Sequence, residues 1–365
     1  MRLATEPCDL LFKIEIVLKK IDVLIVGDFP PATHTGISMV NAMVHDILAE
    51  NGKLVQVIDE SAWSYKGFVR IAKYLFGSHL RLLKYLLSSK TRYVYLNVPL
   101  SFAGELRLLL SCLIVKTFSY RSKIIGHIHR GDIREWATST FINRYILRFN
   151  LKFFCRIVLL SKKFENDLLD INPKIKTVVI PNTSLLEGVQ RSKATNFKGN
   201  FVCISNIIKT KGLGDLVEAF NDKRLSGFRL TIAGNVYDRE FYNSVSKSAN
   251  VDFVISPERE KIIEILMQAD CLILPSWNEG QPLVILEAMS LGIPIIATEV
   301  GDIPDMLGEG YPFLCKPHNP IMLAEKILMF STYENKVALG ERLLSVYKSR
   351  YSNMVFTNNI LQLFA

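Results

Sequence analysis

The sequence predicts an α/β protein of two doubly wound domains facing a cleft, and three observations carry that expectation. Short β-branched runs alternate with helical stretches along most of the 365 residues, and strands alternating with helices imply parallel sheets. The alternation stops once, between Pro181 and Asn200, where the chain turns polar and aperiodic as a linker would. It then restarts with the same rhythm, and the length is ample for two ordinary domains.

The first half opens on IDVLIVGDFPPATHTG, where the apolar run Val23 to Val26 meets a Gly-Asp-Pro-Pro loop and a helical pattern follows from Ile37 to Glu50. KLVQVID, RYVYLNV, KIIGHIH, RIVLLS and KTVVIP are further short strands. After the linker come FVCISN, FRLTIAG, VDFVIS, CLILPS and PIIATE, with helices expected over 213–221, 238–248, 258–268 and 282–291. The expected division is a first domain over 1–185, a second over 186–345, and a closing helix over 346–365 that crosses back.

Composition narrows the class. A hydrophobic content of 49% with 22% charged residues describes a folded globular chain. The six cysteines are scattered, with no Cys-x-x-Cys and no histidine cluster, so neither a disulfide framework nor a zinc site is expected. The opening MRLATEPCDLLFKIEIVLKK interrupts its apolar part with acids and lysines and makes a poor signal peptide. No stretch reaches the ~18 uninterrupted apolar residues of a membrane-spanning helix. A cytoplasmic location is therefore expected.

The net charge of +9 is uneven. Residues 1–185 hold 26 Lys and Arg against 15 Asp and Glu, whereas the remainder is slightly acidic. Across 61–131 Glu105 is the only acid among twelve cations. Lys66, Arg70 and Lys73 follow helical spacing, and Arg81 and Lys84 continue the stripe. Such a stripe is either a solvated helix face or a contact with an anionic membrane surface, peripheral on the inner face of the cytoplasmic membrane. No nucleic-acid motif accompanies the charge, so nucleic acid is not an expected partner.

The stretch SWNEGQPLVILEAMSLGIPIIATEVG, residues 276–301, places Glu279 and Glu287 in some of the most apolar sequence of the chain. Ligands of open α/β sheets bind beyond the carboxyl ends of the strands. Glu279 falls just past the end of CLILPS, and Pro282 suits the first position of the next helix. That helix has almost no polar face, and Glu287 is its one charge. A buried carboxylate must find donors. The vicinal hydroxyls of a nucleotide ribose would serve, and so would a neighbouring loop. Glu279 and the amides of Gly280 and Gln281 could hold sugar hydroxyls in the same way.

The run E-G-Q-P-L-x-x-L-E-A-M-x-x-G-x-P-I-I-A-T-x-x-G resembles the signature of the retaining family 4 glycosyltransferases of GT-B fold, which pair two Rossmann-like domains. PPATHTGISMVNAMVHDIL resembles their first glycine loop and helix, IIGHIHRGD their histidine strand, and FVCISNIIKTKGLGDLVEAF their lysine loop. YKSRYSNMVFTNNILQLF resembles the helix that crosses back. The resemblance implies that Glu287 binds the ribose and Glu279 the transferred sugar of a nucleotide-sugar donor. It implies that Lys211 neutralises the diphosphate, that His129 lines the reaction centre, and that Gly36 lets the backbone approach the phosphates. The sequence departs from the pattern twice. Ser205-Asn206 stands where Gly-Arg is usual, so Asn206 brings no charge to the diphosphate, and Thr35-Gly36 replaces a paired glycine.

His127 and His129 share a strand face, and His129 is preferred because it lies nearer the carboxyl end. Lys211 would be an ordinary surface lysine were it not placed before Gly212, between a strand and a helix start. Asp-x-Asp is absent, so no metal and no cofactor are expected, and the leaving group is left to Lys211 and helix amides. The expected activity is retaining transfer of a sugar from a nucleoside-diphosphate sugar to an acceptor hydroxyl. The expected acceptor is a carbohydrate or lipid-linked oligosaccharide of bacterial surface polysaccharide such as O-antigen or capsule. A nucleotide-sugar epimerase of the same architecture, or a non-catalytic GT-B partner protein, are the alternatives.

Overall fold

A computed structural model of the chain describes residues 19–32, 35–61, 77–191, 197–246 and 250–365. Lys66, Arg70, Lys73, Cys8 and the rest of residues 1–18 lie outside the described residues. The first sheet holds β1 (Lys19–Gly27), β2 (Val55–Asp59), β3 (Ser89–Asn97), β4 (Lys123–Ile128), β5 (Phe154–Leu159) and β6 (Thr177–Val179). Its order is β2-β1-β3-β4-β5-β6, and every pairing is parallel. The second holds β7 (Asn200–Ile204), β8 (Arg229–Gly234), β9 (Val251–Ile255), β10 (Cys271–Leu274), β11 (Ile295–Thr298) and the two-residue β12 (Leu314–Cys315), in the order β12-β11-β10-β7-β8-β9. β12 is too short for the sequence to announce. In each sheet the strand order reverses once, between β1 and β3 and between β7 and β10. Such switch points open crevices at the carboxyl ends of the strands.

Helices cover both faces of the first sheet. α1 (Gly36–Glu50) starts from Thr35, whose side chain and that of Ser38 form a reciprocal capping box. It packs Val40, Val44 and Leu48 on one face. The opposite face carries α2 (Ser78–Ser88), α3 (Phe102–Phe118), α4 (Ile133–Ser139), α5 (Phe141–Asn150) and α6 (Lys163–Ile171), whose Leu82, Leu108, Ala137, Leu147 and Phe164 share one core.

The second domain continues with α7 (Leu213–Phe220), α8 (Arg239–Val245), α9 (Arg259–Gln268), α10 (Leu283–Ser290), α11 (Ile303–Leu307), α12 (Pro320–Thr332) and α13 (Lys336–Arg350). Tyr347 and Tyr351 are still in the second core, whereas α14 (Asn353–Leu363) buries Phe356, Ile360 and Leu363 against α1 in the first. Each such side chain contributes about 1.5–3 kcal/mol on burial, so α14 is a firm tie between the domains.

The stretch expected as a linker begins as a buried junction. Asn182, Thr183 and Ser184 are almost fully buried. Thr183 Oγ1 meets Tyr347 OH at 3.1 Å and donates to Asn353 Oδ1 at 2.8 Å, and Ser184 Oγ meets Ser290 Oγ at 2.9 Å. Polarity here reflects bonds made across the junction, not solvation.

Glu105, the only acid of residues 61–131, is wholly buried in α3, where Asn150 Nδ2 donates to its carboxyl at 2.5 Å. Burial pushes its pKa up to about 8, against the lowering effect of the Asn150 bond. An acid whose folded pKa lies above its unfolded value loses stability as pH rises between the two. Glu105→Gln should therefore gain thermal stability over the parent progressively from pH 4.5 to about 8, with little difference at the acid end. Melting curves across that window that stay parallel for both proteins would contradict a neutral Glu105.

Candidate active site

One cavity of about 610 Å³ lies between the switch points, and Gly36, His129, Asn206, Lys211, Glu279, Gly280, Gln281 and Glu287 all line it. From the second domain the contributing loops follow β7 and β10. Lys209–Lys211 make a single 3₁₀ turn that ends on Gly212, whose φ of +66° is left-handed. A Cβ on Gly212 would stand 1.9 Å from the Pro275 carbonyl oxygen, so only glycine lets the lysine loop lie against the glutamate loop. The Trp277 amide donates to Thr210 O at 3.0 Å, and its indole N–H donates to Asp215 at 2.7 Å. So held, Lys211 Nζ stands 2.6 Å from Glu279 Oε1, which also accepts from Ser276 Oγ at 2.8 Å.

Glu287 is 4% exposed, in the second turn of α10. Its partner is Arg259, the first residue of α9, whose Nη2 donates to Glu287 Oε1 at 2.7 Å. The carboxylate therefore has a protein counter-charge, supplied by a neighbouring helix. Burial raises the Glu287 pKa, and Arg259 offsets this in part. Sequence reading missed Arg259, although one signal existed. A cation at a helix N-terminus opposes the helix dipole and calls for a nearby anion.

Asn206 leaves the lysine loop without an arginine, yet Arg259 lines the same cavity. Pro282, expected as the first helical residue, is instead the cap before Leu283, with extended backbone.

The first domain supplies the opposite wall. His129 follows β4, and its Nε2 lies 3.2 Å from Asn97 Oδ1 at the end of β3. With that oxygen accepting, Nε2 carries the proton and Nδ1 is left as an acceptor. Burial pushes the His129 pKa down to about 3, so the ring is neutral. His127 is fully buried, bonded to the Tyr95 hydroxyl and stacked on His129 with centroids 3.8 Å apart. It is a core histidine and not a cavity residue. Gly36 opens α1 facing Leu283, where a Cβ would make ordinary contact at 3.7 Å.

The domains touch where glycines permit it. A Cβ on Gly280 would come 2.5 Å from His129 O, and one on Gly131 would come 2.6 Å from Glu279 O. The Gln281 side chain is spent on the junction, accepting from Asn182 N at 2.5 Å and donating to Leu160 O and Asp302 Oδ2. Its side chain is a clasp between domains, which leaves only its backbone facing the cavity role expected of it. Among the described residues no cluster of three or more His, Cys, Asp or Glu could hold a metal ion.

Comparison with known proteins places this geometry. Residues 190–339 match the model of the family described as glycosyl transferases group 1. An uncharacterized glycosyltransferase of Methanocaldococcus jannaschii is 29% identical over 202 residues, 54% of this chain and 56% of that protein. The O-antigen biosynthesis glycosyltransferase WclY of Escherichia coli is 22% identical over 222 residues, 55% of this chain and 58% of that protein. The aligned part thus spans little more than half the length of either relative. The Anabaena protein HepE, solved in complex with UDP and glucose, superposes with a TM-score of 0.69 at 14% identity, covering 94% of this chain and 99% of that one. Two parallel six-stranded sheets around one cleft and the superposition on HepE give the chain the GT-B fold, and its second domain is similar, over residues 190–339, to the glycosyl transferases group 1 family.

Proposed function

We infer that the chain is a retaining glycosyltransferase that moves a sugar from a nucleoside-diphosphate sugar to an acceptor hydroxyl. The observation that carries this reading is the pairing inside the cleft: Lys211 with Glu279 and Arg259 with Glu287, two cations and two carboxylates. A nucleotide sugar brings the complementary set, a diphosphate for the cations and hydroxyls for the carboxylates. Binding exchanges partners without leaving a charge exposed to the low-dielectric interior. Glu287 then takes the ribose hydroxyls, Glu279 a hydroxyl of the donor sugar, and Lys211 and Arg259 the diphosphate. Arg259 thereby offsets the missing arginine at Asn206.

In the transfer step the anomeric carbon–oxygen bond breaks and the nucleoside diphosphate leaves. The acceptor oxygen bonds the same face of that carbon, and its proton passes to the departing phosphate oxygen. Developing negative charge is met by Lys211, Arg259 and the amides at the start of α7, preorganised before the reaction. Neutral His129 accepts from a sugar hydroxyl through Nδ1 and adds no competing cation. The structure of HepE in complex with UDP-glucose and the O-antigen biosynthesis role of WclY support a nucleotide sugar and a surface-polysaccharide product. We assign the acceptor as a lipid-linked oligosaccharide growing at the cytoplasmic side of the membrane.

A thermal-shift screen of nucleotide sugars tests the donor first, since a ligand at 100 times its dissociation constant adds about 2.7 kcal/mol. With the donor in hand, Lys211→Ala should lower single-turnover transfer by roughly 10²–10³, the range of other electrostatic stabilisers. Near-normal turnover would move the diphosphate elsewhere.

The second pair separates structural from binding roles. Arg259→Ala strands the Glu287 carboxylate and should cost about 1–3 kcal/mol, less than a fully buried pair because the guanidinium side chain is 34% exposed. Glu287→Gln should be no less stable than the parent, because burial already costs this carboxylate more than Arg259 returns. Combining them should recover the Arg259→Ala loss, yet all three proteins should bind donor more weakly in calorimetry. Normal donor affinity in Glu287→Gln would make the pair purely structural.

Excess chelator should leave transfer nearly unchanged, because protein cations and helix amides meet the diphosphate. Activity that vanishes and returns with manganese or magnesium would overturn that assignment.

A further inference from the structure

The helix layer over one face of the first sheet presents an outward surface that the cleft does not use. A surface helix of a globular protein ordinarily turns charged residues outward. On α3 the exposed residues are Phe102, Ala103, Leu106, Leu110, Leu113, Thr117 and Phe118, without a single charge. α3 lies between α2 and α5, in contact with both. α5 adds Phe141, 83% exposed, with Tyr145 and Phe149, and α2 adds Leu80 and Leu87. All three helices bury their other sides in one core on the same face of the sheet, so the exposed sides form one continuous surface. A contiguous apolar patch of this kind marks an interaction site.

The exposed charges that these three helices carry are all of one sign, although Asp170 of α6 lies beside Arg144. Arg81 and Lys84 on α2, Arg144 and Arg148 on α5, and Lys152 just beyond are exposed. The only acid on these three helices is Glu105, which is wholly buried. Arg148 and Lys152 also share a cavity with Lys174 and Lys176 that no acid lines. We propose that the outward face of α2, α3 and α5 docks on an anionic lipid bilayer, its apolar side chains entering the interface and its basic rim meeting lipid phosphates. An amphipathic surface with aromatic and aliphatic side chains framed by cations fits that partner. A second copy of the chain fits poorly, because a two-fold interface would set the cationic rim against itself.

The placement suits the cleft, a point that rests on the transferase reading. Phe102 begins α3 two residues after Leu100, whose carbonyl accepts from Arg130 Nη1, and Arg130 lines the cleft. Docking would bring the mouth of the acceptor-side domain to an acceptor held in the bilayer.

The full chain should co-sediment with vesicles of phosphatidylcholine mixed with phosphatidylglycerol. It should bind phosphatidylcholine vesicles far more weakly and leave the mixed ones as salt rises. Leu106→Glu with Leu113→Glu, and separately Arg148→Glu with Lys152→Glu, should each weaken vesicle binding at least tenfold. Both should leave the melting temperature and nucleotide-sugar binding as in the parent. Donor binding reports on the cleft alone, so its failure would count against the transferase reading and not against this surface. Absence of vesicle binding, or binding indifferent to lipid charge and to both pairs of substitutions, would overturn the proposal. So would a concentration-dependent dimer that the leucine pair abolishes while vesicles remain unbound, which would assign the face to a second copy.

Discussion

The arrangement of the cleft follows from one constraint: a carboxylate on an apolar helix cannot stay buried without a counter-charge. Glu287 sits in α10 among Ile285, Leu286, Ala288 and Met289, each without exposed surface. Its pKa is raised even with Arg259 at 2.7 Å, so the pair is held and not favoured. That is a useful state for a binding site. A stable, self-sufficient ion pair would resist exchange, whereas one opposed by burial trades partners more readily. Lys211 and Glu279 repeat the device one loop away, where Ser276 donates to the same carboxylate oxygen.

The sequence makes most strands legible because they are short apolar runs, buried on both faces in β4, β10 and β11. It makes the lysine and glutamate loops legible because Gly212, Gly280 and Pro282 punctuate them. What it hides are relations between distant residues. Arg259 looks like an ordinary helix-start residue until α9 and α10 are set side by side, 28 positions apart in sequence. The polar run after Pro181 looks solvated until Tyr347, Asn353 and Ser290 are found against it. Gln281 carries the same lesson, since an amide in a glycine-proline loop gives no sign that it bonds Asn182 and Leu160 of the other domain. α3 is hidden for another reason. Its leucines surround the helix, so periodicity cannot separate those that meet the core from those that meet the outside.

The junction between domains is narrow and mixed in character. At the cleft it consists of backbone against backbone, where Gly280 and Gly131 leave no room for a Cβ, and of the amide clasp of Gln281. Behind it the chain crosses twice, at Asn182–Ser184 and again between Tyr351 and α14. Hydrogen bonds at the front and apolar packing of Phe356 and Ile360 at the back fix which loops face one another. The small contacting residues leave open cavity on either side of them. His129 and Glu279 face the same space from different domains because of this geometry and not through any bond between them.

Charge is divided between the domains along functional lines. The first domain carries nearly all the excess of cations, yet its contribution to the cleft is neutral: His129 is held uncharged by burial, and Arg130 is paired with Asp132. Its basic character is displayed on α2, α3 and α5, whose one acid is turned inward. The second domain is close to neutral overall but sets its charges in opposed pairs at the ends of β10, α7, α9 and α10. A transferred sugar would therefore meet local, compensated charge at the donor side, while the long-range field of the protein comes from a different surface. Because the field of the helix layer is screened over about 10 Å at ordinary salt, it leaves the ion pairs of the cleft unperturbed.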